Sequence, residues 1–298
     1  MRFDGLDLNL LVAFEVLFEE RNVSSAARRL NLTQPAVTGV LNRLRDYFKD
    51  DLLVLNGRKM YITPKAEALS GPVSRALLQI RSEITRAGGF DPLTSQRHFI
   101  IIASDYACTI CLSDLLRTPA EIAPKITFEI IPPSAMAMER LERAEIDLAL
   151  TVQPYANLRY PLKKLWTDDA VIISWKDSGF SVITEDIFFN AGHAVATFGP
   201  DRRLSVTDEY IETMPRSRNV DILLPSFADI CRTIVGTKRL AVVHRRYAEY
   251  LSKIYPIAIH ETWHPFPPII GIAQWHKVLE EDPGLQWVLG IITKTCEL

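Results

Sequence analysis

Apolar residues recur at spacings of three and four from the start of the chain. Leu10, Leu11, Phe14, Leu17 and Phe18 line one side of a helix predicted from Leu8 to Glu20. A shorter helix follows, capped by Ser24 or Ser25, with Ala26, Ala27 and Leu30 facing inward and two alanines that let another helix cross closely. Asn31 falls at the turn. Thr33 caps the third helix, and Pro35 sits in its first turn, where a missing N–H costs nothing. Val37, Val40, Leu41 and Leu44 form the buried stripe of that helix, while Gln34, Thr38, Asn42, Arg43 and Arg45 occupy its other face. Amide, hydroxyl and guanidinium groups on one helical face suit the base edges of a major groove. The plainer alternative is a two-helix corner of a helical domain.

The period then changes. Leu52 to Leu55 and Met60 to Ile62 read as two short strands around Asn56-Gly57-Arg58-Lys59, a hairpin whose tip would carry Arg58 and Lys59 toward phosphate. Thr63-Pro64 opens a long helix over about Lys65 to Arg86. Its stripe of Ala66, Leu69, Val73, Ala76, Leu77, Ile80 and Ile84 predicts pairing with a second copy, or else packing inside the chain. Gly88-Gly89-Phe90-Asp91-Pro92 marks the main boundary.

Beyond residue 95 strands and helices alternate. Strands are predicted at His98 to Ala103, Ile126 to Pro132, Ile146 to Leu150, Ala170 to Trp175, Ala194 to Ala196, Asn219 to Leu224, Leu240 to Val243 and Ile269 to Trp275. Helices are predicted at about Tyr106 to Ile122, Ala135 to Ala144, Val206 to Thr213, Phe227 to Gly236, Arg246 to Leu251 and Gly284 to Thr293. This rhythm implies parallel sheets flanked by helices, with a ligand crevice at the carboxyl ends of the strands.

Composition changes the picture in one place. The chain of 298 residues carries a net charge of −2, yet residues 21 to 65 hold nine basic residues against three acidic ones, a net of +6. Such a patch supplies salt-sensitive affinity for phosphate. The acids around Leu6 to Leu10 break any signal-peptide core and no run is long enough to span a membrane, so the expectation is a cytoplasmic protein without a membrane partner. Cys108-Thr109-Ile110-Cys111 has redox or metal spacing but lacks further ligands nearby, and no metal or cofactor is expected. Asp105, His193 and Cys108 can be drawn as a catalytic set, but no nucleophile signature or phosphate loop accompanies them. The expectation is therefore not an enzyme.

With these elements in order, the whole chain resembles a LysR-type transcriptional regulator. The match is carried by Leu8-Asn9-Leu10-Leu11, Ser25-Ala26-Ala27, Leu32-Thr33-Gln34-Pro35-Ala36-Val37-Thr38, Asp50-Asp51-Leu52-Leu53 and Ile62-Thr63-Pro64. Phe90-Asp91-Pro92, His193-Ala194-Val195, Trp275-His276 and Asp282-Pro283-Gly284-Leu285-Gln286-Trp287 look most like the branch of the nodulation regulator NodD and the activators of aromatic catabolism. The resemblance implies an α/β fold with an N-terminal winged helix-turn-helix (1–63), a long dimerising linker helix (64–89) and a two-lobed, periplasmic-binding-protein-like effector domain (90–298). Lobe I would take about 95–165 plus 269–298, and lobe II about 166–268. It implies double-stranded DNA as partner, a homodimer through residues 64–87, a homotetramer, and RNA polymerase as a further partner.

DNA contacts carried over are Ser24, Thr33, Gln34, Pro35, Thr38, Asn42, Arg43, Arg58 and Lys59; effector contacts are Ser104, Asp105, Ser134, Thr151, His193, Pro225, Ser226 and Phe227. Gly39 and Leu55 depart from positions often held by arginine, and Ser226 from a histidine in relatives. The implied role is an activator of an aromatic-degradation operon switched by a small aromatic inducer, or a flavonoid-responsive nodulation-type regulator.

Overall fold

A computed structural model of the chain describes residues 2–3, 6–56, 59–80, 90–118 and 120–297. It divides into two compact units, Met1–Gly88 with Arg143–Glu145, and Gly89–Glu142 with Ile146–Leu298.

The first unit starts with the two-residue strands β1 (Arg2–Phe3) and β2 (Leu6–Asp7), followed by α1 (Leu8–Glu20), α2 (Val23–Arg29) and α3 (Gln34–Phe48). The antiparallel hairpin β3 (Leu53–Asn56) and β4 (Lys59–Ile62) leads into α4 (Pro64–Gln79). Local chemistry sets each start: Asp7 caps α1, Thr33 caps α3 and Thr63 caps α4, each side-chain oxygen accepting a first-turn N–H. The cap of α2 is Asn22, whose side chain accepts from Ser25 N at 3.0 Å, rather than either expected serine. Asn31 takes the left-handed conformation (φ 54) that turns the chain from α2 into α3, a conformation asparagine tolerates. Phe14, Leu17, Ala26, Val37, Leu44, Leu52 and Leu53 form the shared core.

The first part of the α4 stripe follows the second of its two readings, packing within the chain. Ala66, Val73 and Leu77 are buried in that same core and Leu69 packs against it, with Ser70 and Ser74 buried on the same side. Small residues let α4 lie close to its neighbours, so the first half of the stripe is consumed within the chain. Ala76 is exposed, and Ile84 and the remainder of the predicted helix lie outside the described residues.

The second unit runs β5 (His98–Ile102), α5 (Asp105–Ile110), α6 (Ser113–Leu116), β6 (Thr127–Ile131), α7 (Ala135–Glu142), β7 (Leu148–Val152) and β8 (Leu162–Asp168). It continues with β9 (Ala170–Trp175), α8 (Glu185–Asn190), β10 (Gly192–Phe198), β11 (Arg203–Leu204), α9 (Val206–Glu212), β12 (Asn219–Leu224) and α10 (Ile230–Ile234). Last come β13 (Leu240–His244), α11 (Arg245–Ser252), β14 (Ile257–His260), β15 (Ile269–Gln274) and α12 (Pro283–Glu297).

Two sheets result, one for each lobe. The order is β6-β5-β7-β15-β8 in lobe I and β11-β10-β13-β9-β14 in lobe II, with β12 also pairing with β10. Both are mixed rather than parallel: β5 runs parallel to β6 and β7, while β15 returns antiparallel to β7 and β8. In lobe II β10 is parallel to β12 and β13, whereas β9 is antiparallel to β13 and β14. The chain crosses between lobes twice, at Asp169 and again between β14 and β15, and the strands that follow, β9 and β15, supply the antiparallel pairs apart from that of β10 with β11. Strands β9 and β13 are buried almost end to end, as their uninterrupted apolar runs require. The helix predicted over 106–122 is broken into α5 and α6 by the turn at Cys111 and Leu112.

Candidate DNA-reading face and ligand cleft

On α3 the side chains split cleanly by face. Val37, Leu41 and Leu44 are buried, while Gln34, Pro35, Thr38, Gly39 and Asn42 are exposed. Not all polar groups there are equally free. Thr33 Oγ1 accepts from Ala36 N at 3.4 Å and Thr38 Oγ1 donates to Gln34 O at 3.0 Å, so both hydroxyls serve the helix backbone. Arg43 Nη2 pairs with Asp7 Oδ2 at 3.1 Å. The Asp7 carboxyl is held below the usual range by the Asn9 N–H first and by Arg43 next. Arg45 is a strut: its Nε and Nη2 donate to the carbonyls of Asp51 and Leu53 at 2.8 and 2.7 Å, fixing the hairpin beside α3. Arg29 is paired with Glu19 and Glu20 on α1. Ser24 is exposed on α2, Lys59 opens β4, and Arg58 lies outside the described residues.

The cleft of the second unit lies where the strand topology predicts. The carboxyl ends of β5, β6 and β7 deliver Ser104, Ser134 and Thr151 from lobe I. Those of β10, β12 and β13 deliver Phe198, Phe227 and His244 from lobe II. The cleft has a volume of about 140 Å³, and Tyr106, Tyr155, Trp166 and Arg203 complete its wall. Ser104 and Ser134 also cap α5 and α7, accepting from Ala107 N and Ala137 N at 3.2 and 3.1 Å.

The interior of the cleft is aromatic and uncharged. The His244 ring stacks on Tyr106 at 4.0 Å between centroids, and burial pushes its pKa down to about 3, so the ring is neutral. Trp166 Nε1 and His244 Nδ1 are buried and have no hydrogen-bond partner among the described residues. The Tyr106 hydroxyl donates to Asp168 Oδ2 at 2.8 Å, and burial together with that carboxylate raises its pKa. The cation in the wall is Arg203, whose guanidinium lies 4.6 Å from the Tyr155 ring centroid.

Of the residues expected to meet an effector, Ser104, Ser134, Thr151 and Phe227 line this cleft, whereas four others do not. His193 is fully buried at the amino end of β10; its Nε2–H donates to Phe188 O at 2.8 Å, and its ring packs 4.4 Å from Phe188. Asp105 instead ties the lobes together, its Oδ2 accepting from Ala228 N at 2.5 Å. Ser226 donates to Asp229 Oδ2 at 3.0 Å, and Pro225 does not reach the wall. Tyr106, Trp166, Arg203 and His244 were not anticipated. For His244 the strand-end rule was sufficient, since it closes β13.

Residues 8–67 match the model of the bacterial regulatory helix-turn-helix proteins of the lysR family. Nodulation protein D 1 of Rhizobium tropici is 35% identical over 294 residues, 98% of this chain and 96% of that protein. The chain belongs to the LysR family. Nodulation protein D 1 of Sinorhizobium fredii is likewise 35% identical, over 97% of this chain and 90% of its own length. Among solved structures, full-length OxyR from Pseudomonas aeruginosa superposes with a TM-score of 0.75 at 16% identity, covering 98% of this chain and 95% of that one. A probable transcriptional regulator from Pseudomonas aeruginosa gives 0.72 at 24% identity, over 98% and 97%. These structures share the fold: an N-terminal helix-turn-helix and a two-lobed regulatory domain. The protein is thus a LysR-type transcriptional regulator and not an enzyme. No helix among the described residues is long and apolar enough to cross a membrane.

Proposed function

We propose that this LysR regulator activates transcription from its target promoter in response to a small aromatic inducer held between the two lobes. Gln34, Pro35 and Asn42, exposed on α3, would meet the major groove, with Thr38 at the groove wall and Ser24, Arg43, Arg58 and Lys59 on phosphates. Differential affinity of the inducer for one lobe arrangement would shift that equilibrium, and a homo-oligomer would pass the change to DNA. The activator would act in the cytoplasm.

The observation that supports the aromatic inducer is the cleft itself. Its 140 Å³ are bounded by Tyr106, Tyr155, Trp166, Phe198 and Phe227. An apolar cavity of about 150 Å³ is large enough for benzene, so the cleft as it stands fits one substituted ring. This favours a single-ring compound from an aromatic-degradation pathway. The full-length similarity to nodulation protein D supports the second reading, a flavonoid-responsive regulator, whose multi-ring inducer requires the lobes to open further. A thermal-shift series with chlorophenols, hydroquinones, salicylate and flavonoids separates them, because a ligand preferring the folded state raises the melting temperature. Single-ring compounds should shift the wild type and not Thr151→Trp, which fills the cleft. A shift by flavonoids alone selects the second reading. An equal shift in the Thr151→Trp variant would remove the cleft as the site.

A further inference from the structure

Two polar atoms at the cleft are left over by the packing around them. Trp166 Nε1 and His244 Nδ1 are without a hydrogen-bond partner among the described residues, and only 4% and 6% of the surfaces of these residues are exposed. Buried polar nitrogens in folded proteins are nearly always paired, so each exception asks for a reason. Both side chains line the cleft. Other polar groups of its wall are already engaged: Tyr106 donates to Asp168, Ser205 Oγ donates to Asp208 Oδ2 at 2.6 Å, and Ser104 and Ser134 cap their helices.

The fold holds both rings in place. The Trp166 indole lies against Gly271, its partner across β8 and β15, where the Cβ of any other residue would overlap the ring. The His244 ring stacks on Tyr106 with the two planes 20° apart, and Phe227 packs edge-on to it at 5.4 Å. Tyr106 neighbours both, its centroid 6.1 Å from that of Trp166. Such rings cannot turn away to find other partners without breaking this packing.

Their chemistry restricts what they accept. An indole N–H is a donor only and needs an acceptor, whereas neutral His244 presents at Nδ1 either a lone pair or a proton, according to its tautomer. A hydroxyl meets both demands because it accepts and donates. A carbonyl or nitro oxygen meets Nδ1 in one tautomer only, and a hydrocarbon meets neither nitrogen. Charge counts against an anion, which would lose its water to neutral rings. The cation of the wall, Arg203, is exposed and stacked on Tyr155, and the Asp168 carboxylate is bonded to Tyr106. We propose that Trp166 and His244 select an uncharged hydroxyarene as the inducer, its hydroxyl oxygen accepting from Trp166 Nε1–H and a hydroxyl completing His244 Nδ1. This rests on the cleft being the inducer site and narrows the inducer from any small ring to a phenol. A ring without a hydroxyl leaves both nitrogens buried and unpaired in the complex, and that penalty is the basis of the selection.

The test is calorimetric titration of the full-length protein near neutral pH with 4-chlorophenol, chlorobenzene and 4-chlorobenzoate. The phenol should bind about tenfold more tightly than chlorobenzene, the order of one buried hydrogen bond, and the carboxylate most weakly. Trp166→Phe and His244→Phe keep an aromatic wall; each should reduce the preference for the phenol, and the double variant should bind phenol and chlorobenzene equally. The indole N–H resonance of Trp166, assigned by its loss in Trp166→Phe, gives a readout on the wild type alone: it should move downfield with 4-chlorophenol and much less with chlorobenzene. Melting temperatures verify that each variant is folded. Equal binding of phenol and chlorobenzene by the wild type, lost in Thr151→Trp, would overturn the selection while leaving the cleft as the inducer site. An undiminished preference in the double variant, or tightest binding of the carboxylate, would overturn it as well. No binding of any of these probes would overturn the single-ring reading and the selection together.

Discussion

Gly39 offers the sharpest test of how α3 is built and used. It lies in the interior of that helix, is exposed, and a methyl group added there meets nothing within 4 Å. Glycine in a helix interior is about 0.8–1.0 kcal/mol less favourable than alanine, and no compensating contact exists within the chain. Gly39→Ala should therefore stabilise the N-terminal unit by close to 1 kcal/mol. For a domain of that size such a gain raises its melting temperature by about 4–8 °C. Scanning calorimetry of the full-length protein, following the transition of this unit, reads the change directly. Gly39→Arg goes further: it places a cation beside Thr38 and Asn42, and one added phosphate contact should steepen the slope of log K against log salt by about 0.9. A lower melting temperature for Gly39→Ala would refute the local geometry. A stabilised variant with unchanged salt slope for Gly39→Arg would refute the placement of this face against DNA.

Replacing Asp105 by alanine removes the carboxylate that holds Ala228 N–H; hydrogen exchange at the Ala228 amide should accelerate selectively, and unchanged exchange would mean that the contact does not restrain the lobes. Gly271→Ala drives a methyl into the Trp166 ring, which the Gly271 backbone touches, and overpacking of this kind costs about 1–3 kcal/mol; the regulatory unit should melt earlier and bind cleft ligands more weakly. His193 and His244 are buried as neutral rings, with pKa values pushed down to about 4 and about 3. Free histidine protonates near 6.5, so below that pH the unfolded chain binds more protons than the folded one. Stability should fall as pH drops from 6.5 toward 4, by up to about 1.4 kcal/mol per pH unit for each ring. Calorimetry across that range should show a shallower fall for His193→Asn than for the wild type, and identical slopes would contradict the burial of a neutral ring.

Local rules carried most of the N-terminal unit. The cap at Thr33, the left-handed Asn31 and the split faces of α3 depend on neighbours within a few residues, and those neighbours are visible in the sequence. The α4 stripe was legible as a stripe but not as to its partner, because a copy of the helix and the core of the same chain demand the same spacing. The cleft shows a similar division. Ser104, Ser134, Thr151 and Phe227 follow from their place at or just after strand ends. His193 fails because it stands at the amino end of β10, where the strand is buried on both faces; Phe198, at the other end of β10, reaches the cleft instead. Trp166 and Arg203 come from β8, a strand not foreseen, and from the short β11.

Under the proposed function the exposed face of α3 reads DNA. Fluorescence anisotropy with duplexes from the promoter region next to the protein's own gene, at fixed salt, should show specific binding over a scrambled duplex. Gln34→Ala and Asn42→Ala should each weaken binding to the specific duplex by roughly 1–3 kcal/mol while leaving scrambled-duplex affinity almost unchanged, the signature of base readers rather than phosphate contacts. Specific binding undiminished in the double variant, with its fold intact by circular dichroism, would contradict the account.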